Sequence, residues 1–167
     1  MDLPLTTLHW ERRAPNWLVA AVSGFAAGAV LMVLDLIWSS IVDPGGPWRT
    51  SHMIAPIILG TDAARTTFNF EHHVVAIALA VHYVLGIAFG LILASIMAPL
   101  HLDARVGRAL ATGAVFGALL YFFNFFGMVR WFPWLADLRG WPTLGAHLVF
   151  GMVAAWLYWR LEGGGVR

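Results

Sequence analysis

The sequence predicts an all-α membrane protein: a four-helix transmembrane bundle made from a tandem two-helix repeat. Three observations predict it. The chain has 167 residues, of which 60% are hydrophobic and only 11% charged, where a soluble domain carries about 25% charge. Four of its apolar runs reach the length of about 20 residues that a helix needs to cross a bilayer. The first and third runs also share one short phrase, and the second and fourth share another.

The residues before Trp17, 1–16, form an N-terminal segment with Asp2, Glu11, Arg12 and Arg13 ahead of the first apolar run. That run, Trp17–Trp38, is longer than a secretory apolar region and lacks a small-residue cleavage site, so it reads as a retained span. The remaining spans are Val74–Met97, Arg108–Val129 and Thr143–Trp159, and the four form one domain over 17–167. Trp17 and Trp38 bracket the first span, Trp131, Trp134 and Trp141 flank the third and fourth, and Trp156, Tyr158 and Trp159 close the last. Such rings favour the headgroup level. Pro99 ends the second helix, and Pro142 starts the fourth, where a missing N–H costs nothing.

With four spans both termini share one side. That side holds Arg12, Arg13, Arg105, Arg108, Arg160 and Arg167, against Arg49, Arg65, Arg130 and Arg139 opposite. The positive-inside rule then places both termini in the cytoplasm. All ten basic residues are arginine, and the arginine, alanine, glycine and tryptophan bias suits a GC-rich bacterial genome and an inner-membrane location. The long extracytoplasmic loop 39–73 has a turn cluster at Asp43–Pro47 and an apolar stretch, Ser51–Gly60, suited to a short interfacial helix. The loop Arg130–Pro142 is expected against the same surface.

The repeat places the few polar residues of the spans at equivalent positions. Gly24-Phe25-Ala26-Ala27-Gly28 is followed seven residues later by Asp35, and Gly113-Ala114-Val115-Phe116-Gly117 by Asn124. Val81-His82-Tyr83-Val84-Leu85-Gly86 matches Ala146-His147-Leu148-Val149-Phe150-Gly151. Each unit contains two spans, so the copies share an orientation and a pseudo-two-fold axis along the membrane normal. Gly24 and Gly28 are expected to pack on Gly86 and Gly90, and Gly113 and Gly117 on Gly151 and Ala155, because small residues four apart let backbones approach. Asp35, His82, Asn124 and His147 all fall in the extracytoplasmic half. Polar side chains are costly there, so each invites a functional reading.

Three readings of this cluster remain open. The four groups could simply hydrogen-bond between helices. His82 and His147 could supply both axial ligands of a haem b, with the glycines making room for the macrocycle. Or His82, His147 and Asp35 could titrate within a proton or ion pathway, although the cytoplasmic half offers no ionisable partner. Outside the spans, Glu71-His72-His73 with His52 could offer a carboxylate and three imidazoles to zinc or copper, but their spacing matches no known ligand motif, and a solvated helix start with Glu71 complementing the dipole is the preferred reading. Ser23 and Ser95 are expected to bond to their own helix backbones. The absence of cysteine excludes disulfides and thiolate chemistry, a net charge of +1 offers no nucleic-acid footprint, and no catalytic constellation is present.

Ala14-Pro15-Asn16-Trp17, the run Gly24–Val33, Thr50-Ser51-His52-Met53-Ile54, His82–Gly86, Phe123–Val129 and Ala146-His147-Leu148 together give the chain a resemblance to small four-helix bacterial membrane proteins of unknown function, over nearly its full length. Some of these carry a "sodium:proline symporter" label, but those symporters have a much larger inverted-repeat fold than this chain can hold. The resemblance therefore implies the fold and the marked residues, and no activity. The expectation is a non-catalytic protein working by association, either as an accessory subunit of a larger membrane complex or as a homo-oligomer. Its broad aromatic face Tyr121, Phe122, Phe123, Phe125 and Phe126 meets lipid or a partner. A b-type electron carrier or a proton pathway component is the alternative.

Overall fold

A computed structural model describes residues 13–61 and 68–163. Among them the chain is helical throughout, and four helices are long and apolar enough to cross a membrane. The arginines Arg12, Arg65 and Arg167 of the charge asymmetry lie outside the described residues.

Helix α1 runs Trp17–Ile41 and starts cleanly because the Asn16 side chain accepts the Val19 N–H. The loop beyond it turns at Asp43–Gly46, with Gly46 at φ 73°, and forms two short helices, α2 (Arg49–Ile54) and α3 (Pro56–Leu59). Helix α4 spans His72–Met97. A short connection then passes through His101 in the left-handed region (φ 53°), which histidine tolerates better than most residues, and a 3₁₀ turn at Leu102–Ala104.

Helix α5 begins at Val106 and is α-helical only to Phe122; it continues as a π-helical turn, Phe123–Gly127, and a 3₁₀ turn, Met128–Arg130. The sequence reading of one uniform span over 108–129 missed this change of winding. After a further 3₁₀ stretch at Pro133–Leu138, α6 runs Trp141–Leu161 with Pro142 in its first turn. Where the other span boundaries differ, they extend the sequence expectation by two or three residues, as expected where aromatic residues straddle the apolar edge.

Packing follows the two hairpins. Helix α1 lies along α4 and α5 along α6, and the hairpins meet mainly through α1 against α6. The equivalent contact, α4 against α5, is slight. The shared core is small-residue and aromatic: Ala20, Ala27, Ala94, Ala154 and Ala155 are buried around Leu93, Phe116, Phe150 and Tyr158. Ser95 bonds back to Leu91 and Ile92 as expected of a helix serine in lipid, whereas the buried Ser23 hydroxyl makes no hydrogen bond among the described residues.

The two ends of the bundle are closed differently. At the end where α1 starts and α6 finishes, Arg13 reaches Asp103 in the connection between the hairpins and Glu162 after α6. Burial works against the Arg13 charge, but the hydrogen bonds and negative charges of Glu162 and Asp103 outweigh it and hold the guanidinium above its ordinary value. The Asn16 N–H donates to the Tyr158 hydroxyl beside it (3.3 Å). At the opposite, distal end the two loops are sewn together. The Trp134 indole N–H donates to the Met53 carbonyl (2.9 Å), and Arg49 donates to the Asp137 carbonyl (3.0 Å).

Candidate functional site

The glycines decide how closely the helices approach, and so where the polar side chains can go. A Cβ at Gly24 would strike the Gly86 carbonyl and the Gly90 backbone, and one at Gly113 would strike the Gly151 carbonyl. The two hairpins therefore share a register, as the phrases anticipate. One turn further along they differ. A Cβ at Gly117 would meet the His147 backbone carbonyl, whereas one at Gly28 would sit 3.7 Å from the His82 imidazole, an ordinary contact.

In the α1/α4 hairpin that extra space holds the His82 ring. Its Nε2 lies 2.8 Å from the Gly28 carbonyl, which can only accept, so Nε2 carries the proton. In the α5/α6 hairpin the backbones stay in contact, and His147 lies along its own helix. Its Nδ1–H donates to the Thr143 carbonyl (2.8 Å), leaving Nε2 to accept from the Asn124 amide (3.3 Å). His147 is buried, with the edges of Tyr121 and Phe125 against its ring.

Asn124 sits within the π-helical turn. Such turns leave a backbone carbonyl unpaired and recur at functional positions. Here Arg139 donates through Nε to the Phe125 carbonyl (2.6 Å) and lies 4.2 Å from the centre of the Phe126 ring. The Gly140 N–H donates to the Tyr121 hydroxyl (3.2 Å). Arg139 entered the sequence reading only as a loop charge. Nothing in its spacing announces that it caps a turn 14 residues earlier.

Asp35 is half-buried near the distal end of α1. Thr50 of α2 is its near neighbour, with Asp43, Arg49 and His82 within electrostatic reach. His82 in turn is within reach of His147. The predicted cluster thus splits. Asn124 and His147 bond directly, while Asp35 and His82 are neighbours that share no hydrogen bond and His82 bonds the Gly28 carbonyl instead. Together they form a row of polar groups from the distal rim into the bundle, stopping at the apolar core.

In this arrangement the Nε2 of His82 faces the Gly28 carbonyl and that of His147 the Asn124 amide, while facing backbone lies against Gly24, Gly113 and Gly117 and the His82 ring lies beside Gly28. Outside the bundle, His73 approaches Glu71 (3.6 Å), His72 packs on Phe70, and the buried His52 bonds the Asn69 carbonyl (2.7 Å). Among the described residues no three or more histidines and carboxylates come together as a metal-ligand set. No family model, no curated protein and no solved structure matches the chain.

Proposed function

We infer that this multi-pass membrane protein works by association: a non-catalytic component of the bacterial inner membrane, either an accessory subunit of a larger complex or a homo-oligomer, with both termini cytoplasmic. The observation that supports this is the unequal joining of the hairpins. Helix α1 is covered by α6, whereas α4 and α5 make little contact. Beside that edge the aromatic face divides, with Tyr121 and Phe125 buried while Phe122, Phe123 and Phe126 stay more than half exposed. Small and aromatic surfaces of this kind suit helix–helix contact in lipid, where packing rather than water exclusion drives association.

The chain has no cysteine, so single-cysteine variants report directly. Leu85→Cys, Val115→Cys and Phe122→Cys, each an exposed position, are expected to crosslink in native membranes, while Val33→Cys on α1 does not. A product of twice the chain mass identifies the homo-oligomer, and a different mass identifies a partner subunit. Monomer alone at all positions overturns the reading.

A second reading is favoured by the row Asp35, His82 and His147, which suits a proton or ion element open to the distal side only. It needs a partner chain to complete the path, and is therefore also a reading by association.

A further inference from the structure

At the distal rim, where the apolar length of α1 ends, a cavity of about 800 Å³ opens between Trp38, Asp43, Arg49 and Phe68. We propose that it takes an amine–phosphate headgroup, with Arg49 holding the phosphate and Asp43 the primary ammonium. This does not depend on the associative reading above.

The position fits first. Trp38 marks the end of the span, and tryptophan favours the level of lipid headgroups. The cavity volume falls in the range of small-molecule sites, about 300–1,000 Å³.

The chemistry fits next. Arg49 bonds Asp43 through Nη1 (2.8 Å) and the Asp137 carbonyl through Nη2 (3.0 Å). A guanidinium has five N–H donors, so unused donors remain for a phosphate, in the fork geometry phosphate prefers. Asp43 accepts from Arg49 through Oδ2 and from the Gly45 N–H through Oδ1 (2.8 Å). A carboxylate has about four lone-pair sites, so it keeps capacity for an ammonium. These bonds explain how the turn is held. They do not explain why both charged groups line an open cavity, with side chains 25% and 18% exposed.

The pairing of charges sets the class of ligand. A simple anion meets Asp43 as well as Arg49, and a simple cation meets Arg49 as well as Asp43. A zwitterion carrying both charges satisfies both groups. Trp38 and Phe68 add aromatic wall, which attracts an ammonium over its face. A quaternary amine has no N–H to give Asp43, so a primary ammonium is preferred.

The test uses the full chain and native mass spectrometry of lipid retention from mixed bilayers of phosphatidylethanolamine, phosphatidylglycerol and phosphatidylcholine. The wild type is expected to retain phosphatidylethanolamine about tenfold over either of the others, the scale of one charge-assisted contact. Asp43→Asn, which leaves the Arg49–Asp137 link in place, is expected to turn the preference towards phosphatidylglycerol. Arg49→Gln is expected to lose both, and Arg49→Lys to keep the order. Soluble phosphoethanolamine that binds with the same sensitivity to Asp43→Asn would name the free ester as ligand. Retention of the lipid without binding of the soluble ester would name the lipid. Equal retention of the three lipids by the wild type, or an unchanged preference in Asp43→Asn, overturns the proposal. Should Arg49→Gln fail to fold, Asp43→Asn alone decides.

Discussion

The two hairpins carry the same small-residue phrases and meet in the same register, yet they treat their histidines differently. In both, the first glycine of the motif sits against a glycine carbonyl of the partner helix. One turn later α5 still presses on the α6 backbone at His147, while at Gly28 α1 keeps ordinary contact distance from the Gly86 backbone and the His82 ring. The first hairpin thus accommodates a side chain between its helices, and the second excludes one. Small residues fix where helices first touch. What lies at the end of the contact depends on what each helix meets beyond it: Thr50 and α2 for Asp35, and a π-helical turn held by Arg139 for Asn124.

The largest expected effect breaks this comparison at the glycines themselves. Gly117→Ala should cost about 3 kcal/mol, because its Cβ meets main chain that cannot yield without moving a helix. Gly28→Ala, the equivalent change in the first hairpin, should stay within about 0.5 kcal/mol because its Cβ meets the His82 ring and the Gly86 backbone only at ordinary contact distance. Reversible unfolding in mixed micelles measures both. Equal losses would mean the hairpins are packed alike.

Arg139→Met comes next. It takes a charged donor from the Phe125 carbonyl, an effect of about 1.5–3 kcal/mol, and faster amide exchange over 123–127 should accompany it. If exchange there is unchanged, the π-helical turn does not depend on Arg139.

Smaller still is the coupling between polar partners. A double-mutant cycle of Asn124→Ala with His147→Ala should return about 0.6 kcal/mol, and at most roughly 1.7, as interhelical bonds in membranes do. The equivalent cycle of Asp35→Ala with His82→Ala should return close to zero, since His82 bonds the Gly28 carbonyl rather than Asp35. Similar values for both pairs would erase the distinction between the hairpins.

The smallest effect is expected for Asp35→Asn, which keeps the size and shape of a half-buried side chain and should change stability by less than about 0.5 kcal/mol. A loss several times larger would show that the carboxylate charge itself is needed, and would strengthen the proton or ion reading.

Much of this organisation could be read from the residues. Gly24 with Gly86 and Gly90, and Gly113 with Gly151, follow from spacing, because small residues four apart form one flat helix face whatever surrounds them. The depth of Asp35, His82, Asn124 and His147 follows from counting along the spans. Their bonds do not, because whether His82 reaches a main-chain carbonyl or a carboxylate depends on how two helices pack against each other. The Arg13–Asp103–Glu162 cluster joins residues far apart in the chain and has no local signature. The same holds for the link from Arg139 to Phe125 and the seam between the distal loops through Trp134 and Arg49.

The sequence by itself determined the class of the molecule, its four spans, its paired phrases and the faces on which glycine allows close contact. Those depend on apolar length and on periodicity, which are properties of each helix alone. Tertiary structure decided that the hairpins join through α1 and α6, that α5 changes winding at Phe123, and that only one of the two histidines bonds the polar side chain of its own hairpin. Those outcomes are set by separations and hydrogen bonds between segments remote in the chain, where less than the width of a side chain separates one arrangement from another.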